Sequence, residues 1–168
     1  NAGFGIAVTI LWSTYALLQF PGGLASDSLG FRTTLVVSSV VTAAGFALLG
    51  VSVGIAVFLV ACAVVGIGLG LSFVSSRTLP STLYGDNKGR ALGVTTAAGD
   101  VGGVLAPIVA SVVIAAALPW RSVFLTAAVG VVGLAVAFHA VVRGPYRSKP
   151  PDLRRTTAHA VGEITGRE

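Results

Sequence analysis

An all-α membrane bundle of about five transmembrane helices is the fold class this sequence predicts, and two observations carry it. Residues 1–26, 33–76, 101–120 and 122–142 contain no Asp, Glu, Lys or Arg. The chain is 54% hydrophobic and 10% charged, with a mean hydropathy of +0.90, whereas a soluble domain carries about 25% charged residues. A hydrocarbon layer about 30 Å thick takes roughly 20 apolar residues of helix to cross. The four runs therefore hold one span, two spans, one and one, and the same numbers argue against a soluble globular domain.

Taken in order, the first span is expected at residues 4–25. A decapeptide with an acid, a turn glycine and a base, Gly23 to Arg32, then forms a short loop. The second and third spans, at 33–53 and 55–76, are joined by a tight uncharged link around Gly50 to Gly54. Residues 77–90 read as a longer loop outside the bilayer core, because Pro80, Gly85, Asp86, Asn87, Lys88 and Gly89 are turn and loop residues. The fourth span follows at 92–117 and the fifth at 121–142, with Trp120 and Arg121 as interfacial anchors before it. Residues 1–142 thus form the bundle. Residues 143–168, with Pro150, Pro151 and alternating charges, read as a polar linker or tail of weak structure; a stretch lying on anionic lipid is the alternative.

Charge placement orients the bundle. One side collects Arg32, Arg77, Lys88, Arg90, Arg143, Arg147, Lys149, Arg154, Arg155 and Arg167, and the other only Arg121. By the positive-inside rule the first set is cytoplasmic, residues 143–168 included, and the chain is expected to be a multi-pass protein of the plasma membrane. Residue 1 then starts outside, and the sequence contains no Met. Both facts predict a helix preceding the segment. The pI near 10.2 does not imply a nucleic-acid partner, since the basic residues sit in interhelical loops and the tail instead of forming a face interleaved with aromatics.

Within the spans a few residues stand out chemically. Asp100 is the acid well inside the fourth span, about 13 Å of helix from its cytoplasmic end. A carboxylate there is costly and marks either a coupling or substrate-binding group or a locally hydrogen-bonded structural acid. Trp12, Tyr15 and Gln19 share a face of the first span by i, i+3, i+7 spacing, beside Ser13 and Thr14. That face either lines a substrate cavity or hydrogen-bonds to a neighbouring helix. Cys62 reads as a small core residue and His139 is assigned no role. Zinc motifs, nucleophile elbows and phosphate-cradling glycine loops are missing from the sequence, so neither an enzyme, a cofactor nor a metal is expected.

The spacing of Gly23, Leu24, Asp27, Gly30 and Arg32 resembles the loop between helices two and three of the major facilitator superfamily, with Ser28 where the family usually has a second base. The resemblance makes Gly23, Asp27, Gly30 and Arg32 parts of a gate loop. Gly30 supplies its turn and Asp27 faces a helix N-terminus. Asn87 to Val94 is similar to the segment before the family's fifth helix. The fifth-helix motif associated with antiporters keeps its spacing at Gly93, Gly102, Ala106-Pro107 and Ala110-Ser111. Small residues there imply close helix packing, and Pro107 implies a kink. Gly66, Gly68 and Gly70 resemble the fourth helix, although Cys62 stands where many proton-coupled members have arginine. Trp120, Arg121 and Phe124 match a pattern before the sixth.

The resemblance implies helices two to six of a twelve-helix secondary carrier. Such a carrier works by alternating access, as an antiporter or exporter, with the lipid bilayer, a small-molecule substrate and the remainder of the same carrier as partners. A non-transporting receptor-like or scaffolding bundle is the alternative reading of the residues, and helices eight to twelve an alternative register. The substrate is not indicated by the sequence.

Overall fold

The computed structural model describes residues 2–84 and 87–142. Five helices follow one another: α1 (Ala2–Leu29), α2 (Phe31–Val51), α3 (Ile55–Leu83), α4 (Lys88–Ala115) and α5 (Arg121–Val141). Each is long and apolar enough to cross a membrane, so the chain is a polytopic helical bundle. The predicted tail at 143–168 and the turn residues Gly85 and Asp86 lie outside the described residues.

α2 and α4 stop two residues short of expectation, at Val51 and Ala115, whereas α1, α3 and the start of α4 run past it for one reason. Polar and charged residues end an apolar run but do not stop a helix. The decapeptide expected as a loop is helical up to Leu29, with the Ser28 hydroxyl donating to the Ala25 carbonyl and the Gly30 amide to that of Ser26. The break is Gly30 alone, at φ 90 and ψ 148, a backbone region in which L side chains are strained. In the same way α3 runs past residue 76 through Arg77 and Pro80 to Leu83, where the Tyr84 amide closes the last turn on the Pro80 carbonyl. α4 starts at Lys88 instead of 92 and stays helical through Pro107 to Ala115. Its end is a Schellman turn: Leu118 N–H donates to Val113 O and Ala117 N–H to Ile114 O, with Ala117 at φ 54.

α3 is the central post. α1 packs along one side of it and α2 along another, α5 lies against α2, and α4 touches α3 and α5 only lightly. The alternating Gly66, Gly68 and Gly70 make this possible. A Cβ on Gly66 would stand 2.5 Å from Leu11 O and one on Gly70 2.6 Å from Tyr15 O, both in α1, whereas one on Gly68 would stand 2.6 Å from Thr42 N in α2. Backbones approach this closely only where side chains are missing. Toward the Gly54 end of the bundle, Ala7, Leu49, Ala61, Cys62 and Val65 form a buried cluster with Leu11, Phe46, Phe58 and Phe124 packed on it. Cys62 is thus the core residue predicted.

Hydroxyls inside the bundle are satisfied locally, as hydrocarbon surroundings require. Thr34 and Thr42 donate to carbonyls one turn back and Ser38 to Leu35 O. Ser26 and Ser75, both fully buried, share a hydrogen bond between α1 and α3 while Ser26 also donates to Gly22 O. α4 has no buried residue. Its outward Val101, Val104, Leu105, Ile108 and Val112 suit contact with lipid tails or other apolar helices.

Candidate functional site

Two places gather the polar side chains that the sequence singles out. The first is the Gly30 junction. Gly30 turns the chain within one residue, which sets Arg32 in the first turn of α2. Its Nη2 donates to the His139 carbonyl oxygen in the last turn of α5 at 2.7 Å. A cation at a helix C-terminus meets the negative end of the macrodipole. The Arg32 Nε is buried without a hydrogen-bond partner among the described residues. Asp27 lies exposed in the last turn of α1, which is the C-terminal end of its own helix. Gly23 is inside α1, where a Cβ would make ordinary contact with Val74, and so is not a loop residue.

The second place lies along the side of α3. Trp12 and Tyr15 of α1 meet edge to face with centroids 5.4 Å apart, Tyr15 meets Phe73 of α3 at 5.8 Å, and the Arg77 guanidinium carbon lies 4.9 Å from the Phe73 ring centre. Side chains on a helix lean toward its N-terminus. Arg77 therefore reaches back one turn toward the middle of α3 instead of out to the nearby helix end. The aromatic series ends at a cleft of about 220 Å³ between α3 and α4, lined by Phe73, Ser76, Arg77, Thr95, Thr96 and Asp100, together with Leu92 and Gly99. Both charged residues are exposed to it. Among the described residues neither has an ion-pair partner.

Of the predicted residues, the structure thus brings Trp12 and Tyr15 toward Arg77, and Asp100 to the facing wall. Asp100 lies about 18 Å along α4 from Lys88, deeper than expected because the helix starts earlier. Gln19 is half-buried one turn further along α1. The fifth-helix residues stand apart: a Cβ added at Gly93 or Gly102 would meet nothing within 4 Å, and Ala106 and Pro107 are exposed. The close packing expected at these positions is not made among the described residues, since α4 meets its neighbours only lightly.

Sequence reasoning missed Phe73, Ser76, Thr95 and Thr96 as lining residues and the Ser26–Ser75 pair. The i, i+4 spacing of Phe73 and Arg77 was the one available signal. A larger groove of about 520 Å³ at the α3, α4 and α5 ends is walled mainly by apolar residues such as Leu79, Leu83 and Phe138, and among the described residues Arg90 is its only charged lining residue. At the opposite end Trp120 stacks edge to face on Phe124 at 5.8 Å and lies 5.6 Å from the Arg121 guanidinium, as suits an interfacial anchor.

Residues 1–165 match the family model described as the Major Facilitator Superfamily. The chain is also 27% identical over 161 residues to a protein of Cupriavidus necator described as a probable sulfoacetate transporter, SauU. That alignment covers 95% of this chain and 36% of the relative, so the chain spans about a third of its relative's length.

Proposed function

The chain belongs to the Major Facilitator Superfamily, and from that membership we propose that it forms helices two to six of a twelve-helix secondary carrier. The carrier moves a small organic acid across the plasma membrane by alternating access. The observation that carries this reading is the α3–α4 cleft, which holds an arginine, an aspartate and three hydroxyls between two helices long and apolar enough to cross a membrane. Charged groups inside spans are expensive to keep and line solute pathways. An acidic solute is supported by the likeness to the probable sulfoacetate transporter and by the cation in the cleft. The spacing of Gly93, Gly102, Ala106 and Pro107 supports exchange as the coupling mode, since small residues let a helix slide closely past its neighbours.

The Gly30 end of the bundle is cytoplasmic, on the ten-to-one distribution of basic residues. A reporter fused after Glu168 is then active only in its cytoplasmic form, and external activity overturns the orientation. The transport reading is tested with the full-length gene product in proteoliposomes, supplied with labelled sulfoacetate on one side. Saturable uptake that sulfoacetate trapped on the other side accelerates is the expected result. No saturable uptake of sulfoacetate or of other small organic acids overturns it.

A further inference from the structure

Arg77, six residues from the end of α3, leans toward the helix N-terminus as helical side chains do, and so onto Phe73 one turn back. Its guanidinium lies over the Phe73 ring, Phe73 is held in turn by Tyr15, and Tyr15 by Trp12. Three aromatic rings from two helices thereby fix a planar cation at one wall of the cleft. Ser76 on the same helix and Thr95, Thr96 and Asp100 on α4 line the same cleft.

Such a cation has a definite chemistry. A guanidinium stacked by one face still offers N–H donors along its edge in the fork that matches carboxylate or sulfonate oxygens, and a lysine ammonium has neither the stack nor the fork. The Thr96 hydroxyl lines the same cleft, whereas those of Ser76 and Thr95 donate their protons within their own helices, Ser76 Oγ to Phe73 O and Thr95 Oγ1 to Ala91 O, both at 2.9 Å, and must turn to meet an anion. Asp100 is the single acid of the cleft among the described residues. It is an acceptor that competes with any arriving anion for the same cation.

From this arrangement we infer that the α3–α4 cleft is an anion-binding subsite in which Arg77, aligned by Phe73, grips the carboxylate or sulfonate of the transported acid, and that Asp100 is its built-in competitor. The inference rests on the carrier reading above and adds the residue that recognises the charge. A cleft of about 220 Å³ has room for an anion of a few heavy atoms. Asp100 keeps the empty cleft near neutrality, since a lone cation in a low-dielectric span is costly, and it weakens binding so that the anion also leaves.

The test uses the full-length protein, purified in detergent for binding and reconstituted for uptake, with malonate and methanesulfonate as anionic probes and malonamide as the neutral control. In the wild type both anions raise Tm in a saturable way and compete with each other, and malonamide does neither. Arg77→Gln and Arg77→Lys each weaken the binding of both anions at least tenfold. Phe73→Leu weakens it several-fold with the charge still present, and Asp100→Asn tightens it. Each variant is first shown to keep the wild-type elution profile and ligand-free Tm; Arg77→Lys serves where Arg77→Gln does not. Wild-type anion affinity in Arg77→Lys and Phe73→Leu overturns the subsite while leaving the carrier reading in place. Loss of anion binding in Asp100→Asn overturns the competitor role and, with it, the proposal. A wild type that neither binds the probes nor takes up an organic acid overturns both readings.

Discussion

The guanidinium of Arg32 donates to the backbone carbonyl of His139 at 2.7 Å, joining the first turn of α2 to the last turn of α5. The two residues are 107 positions apart in sequence. The bond belongs to the backbone acceptor, not to the imidazole, so it is indifferent to which side chain stands at 139.

Arg32→Ala is therefore expected to destabilise the protein by about 1–2 kcal/mol, the worth of a charge-assisted hydrogen bond at a helix terminus. His139→Ala changes stability by less than about 0.5 kcal/mol, as an exposed side chain should. Thermal unfolding of the two variants side by side in one detergent checks the pair. Equal losses would mean that the imidazole, and not the carbonyl, holds the junction.

A second expectation concerns Gly68, whose missing Cβ lets α3 reach Thr42 and Ser38 of α2. Gly68→Val cannot be fitted without moving two packed backbones apart and is expected to cost more than about 3 kcal/mol, enough to prevent accumulation in the membrane. Gly68→Ala gives a smaller loss in the same direction. Gly5→Ala, at a position where a Cβ meets nothing within 4 Å, is the control and leaves expression unchanged. Immunoblots of membrane fractions and Tm values decide the order.

These residues also show how far the sequence could be read. Charge-free runs locate all five spans, whereas the close packing expected along the fifth-helix motif at Gly93 and Gly102 is found instead at Gly66, Gly68 and Gly70 of α3. Helix ends were misjudged because Ser26, Asp27, Arg77 and Pro80 close an apolar run without closing the backbone ladder. Asp100 and the Trp12–Tyr15 face were legible as isolated polar features in apolar surroundings. Their relation was not, because it depends on Phe73, an ordinary core aromatic until the α1–α3 crossing brings Tyr15 onto it, and on the direction in which Arg77 leans. A one-dimensional pattern gives residue depth, whereas these two facts need the rotation of each helix about its axis.

Ala117 offers a test of local strain. It holds the left-handed position of the turn after α4 at φ 54, where glycine is the usual residue and an L side chain costs roughly 1–2 kcal/mol. Ala117→Gly is expected to raise stability by about 0.5–1 kcal/mol after the added flexibility of the unfolded chain is counted. An unchanged or lower Tm would show that the methyl group makes compensating contacts.

Asp27 separates folding from transport. A carboxylate in the last turn of α1 faces the negative end of that helix's dipole, which disfavours it by about 0.3–1 kcal/mol. An amide of the same size avoids that cost. Asp27→Asn keeps the size and hydrogen-bonding capacity of the side chain and is expected to insert and accumulate like the wild type. If Asp27 is instead the acid of a gate between moving halves, its charge matters when the carrier changes state, and transport by the full-length protein falls about tenfold, a barrier change of about 1.4 kcal/mol. Asp27→Glu, which keeps the charge at a slightly longer reach, recovers part of the rate. Uptake of labelled sulfoacetate, normalised to the amount of protein in the membrane, gives the result. Wild-type uptake by Asp27→Asn would reduce the junction to a connector held by Gly30 and Arg32.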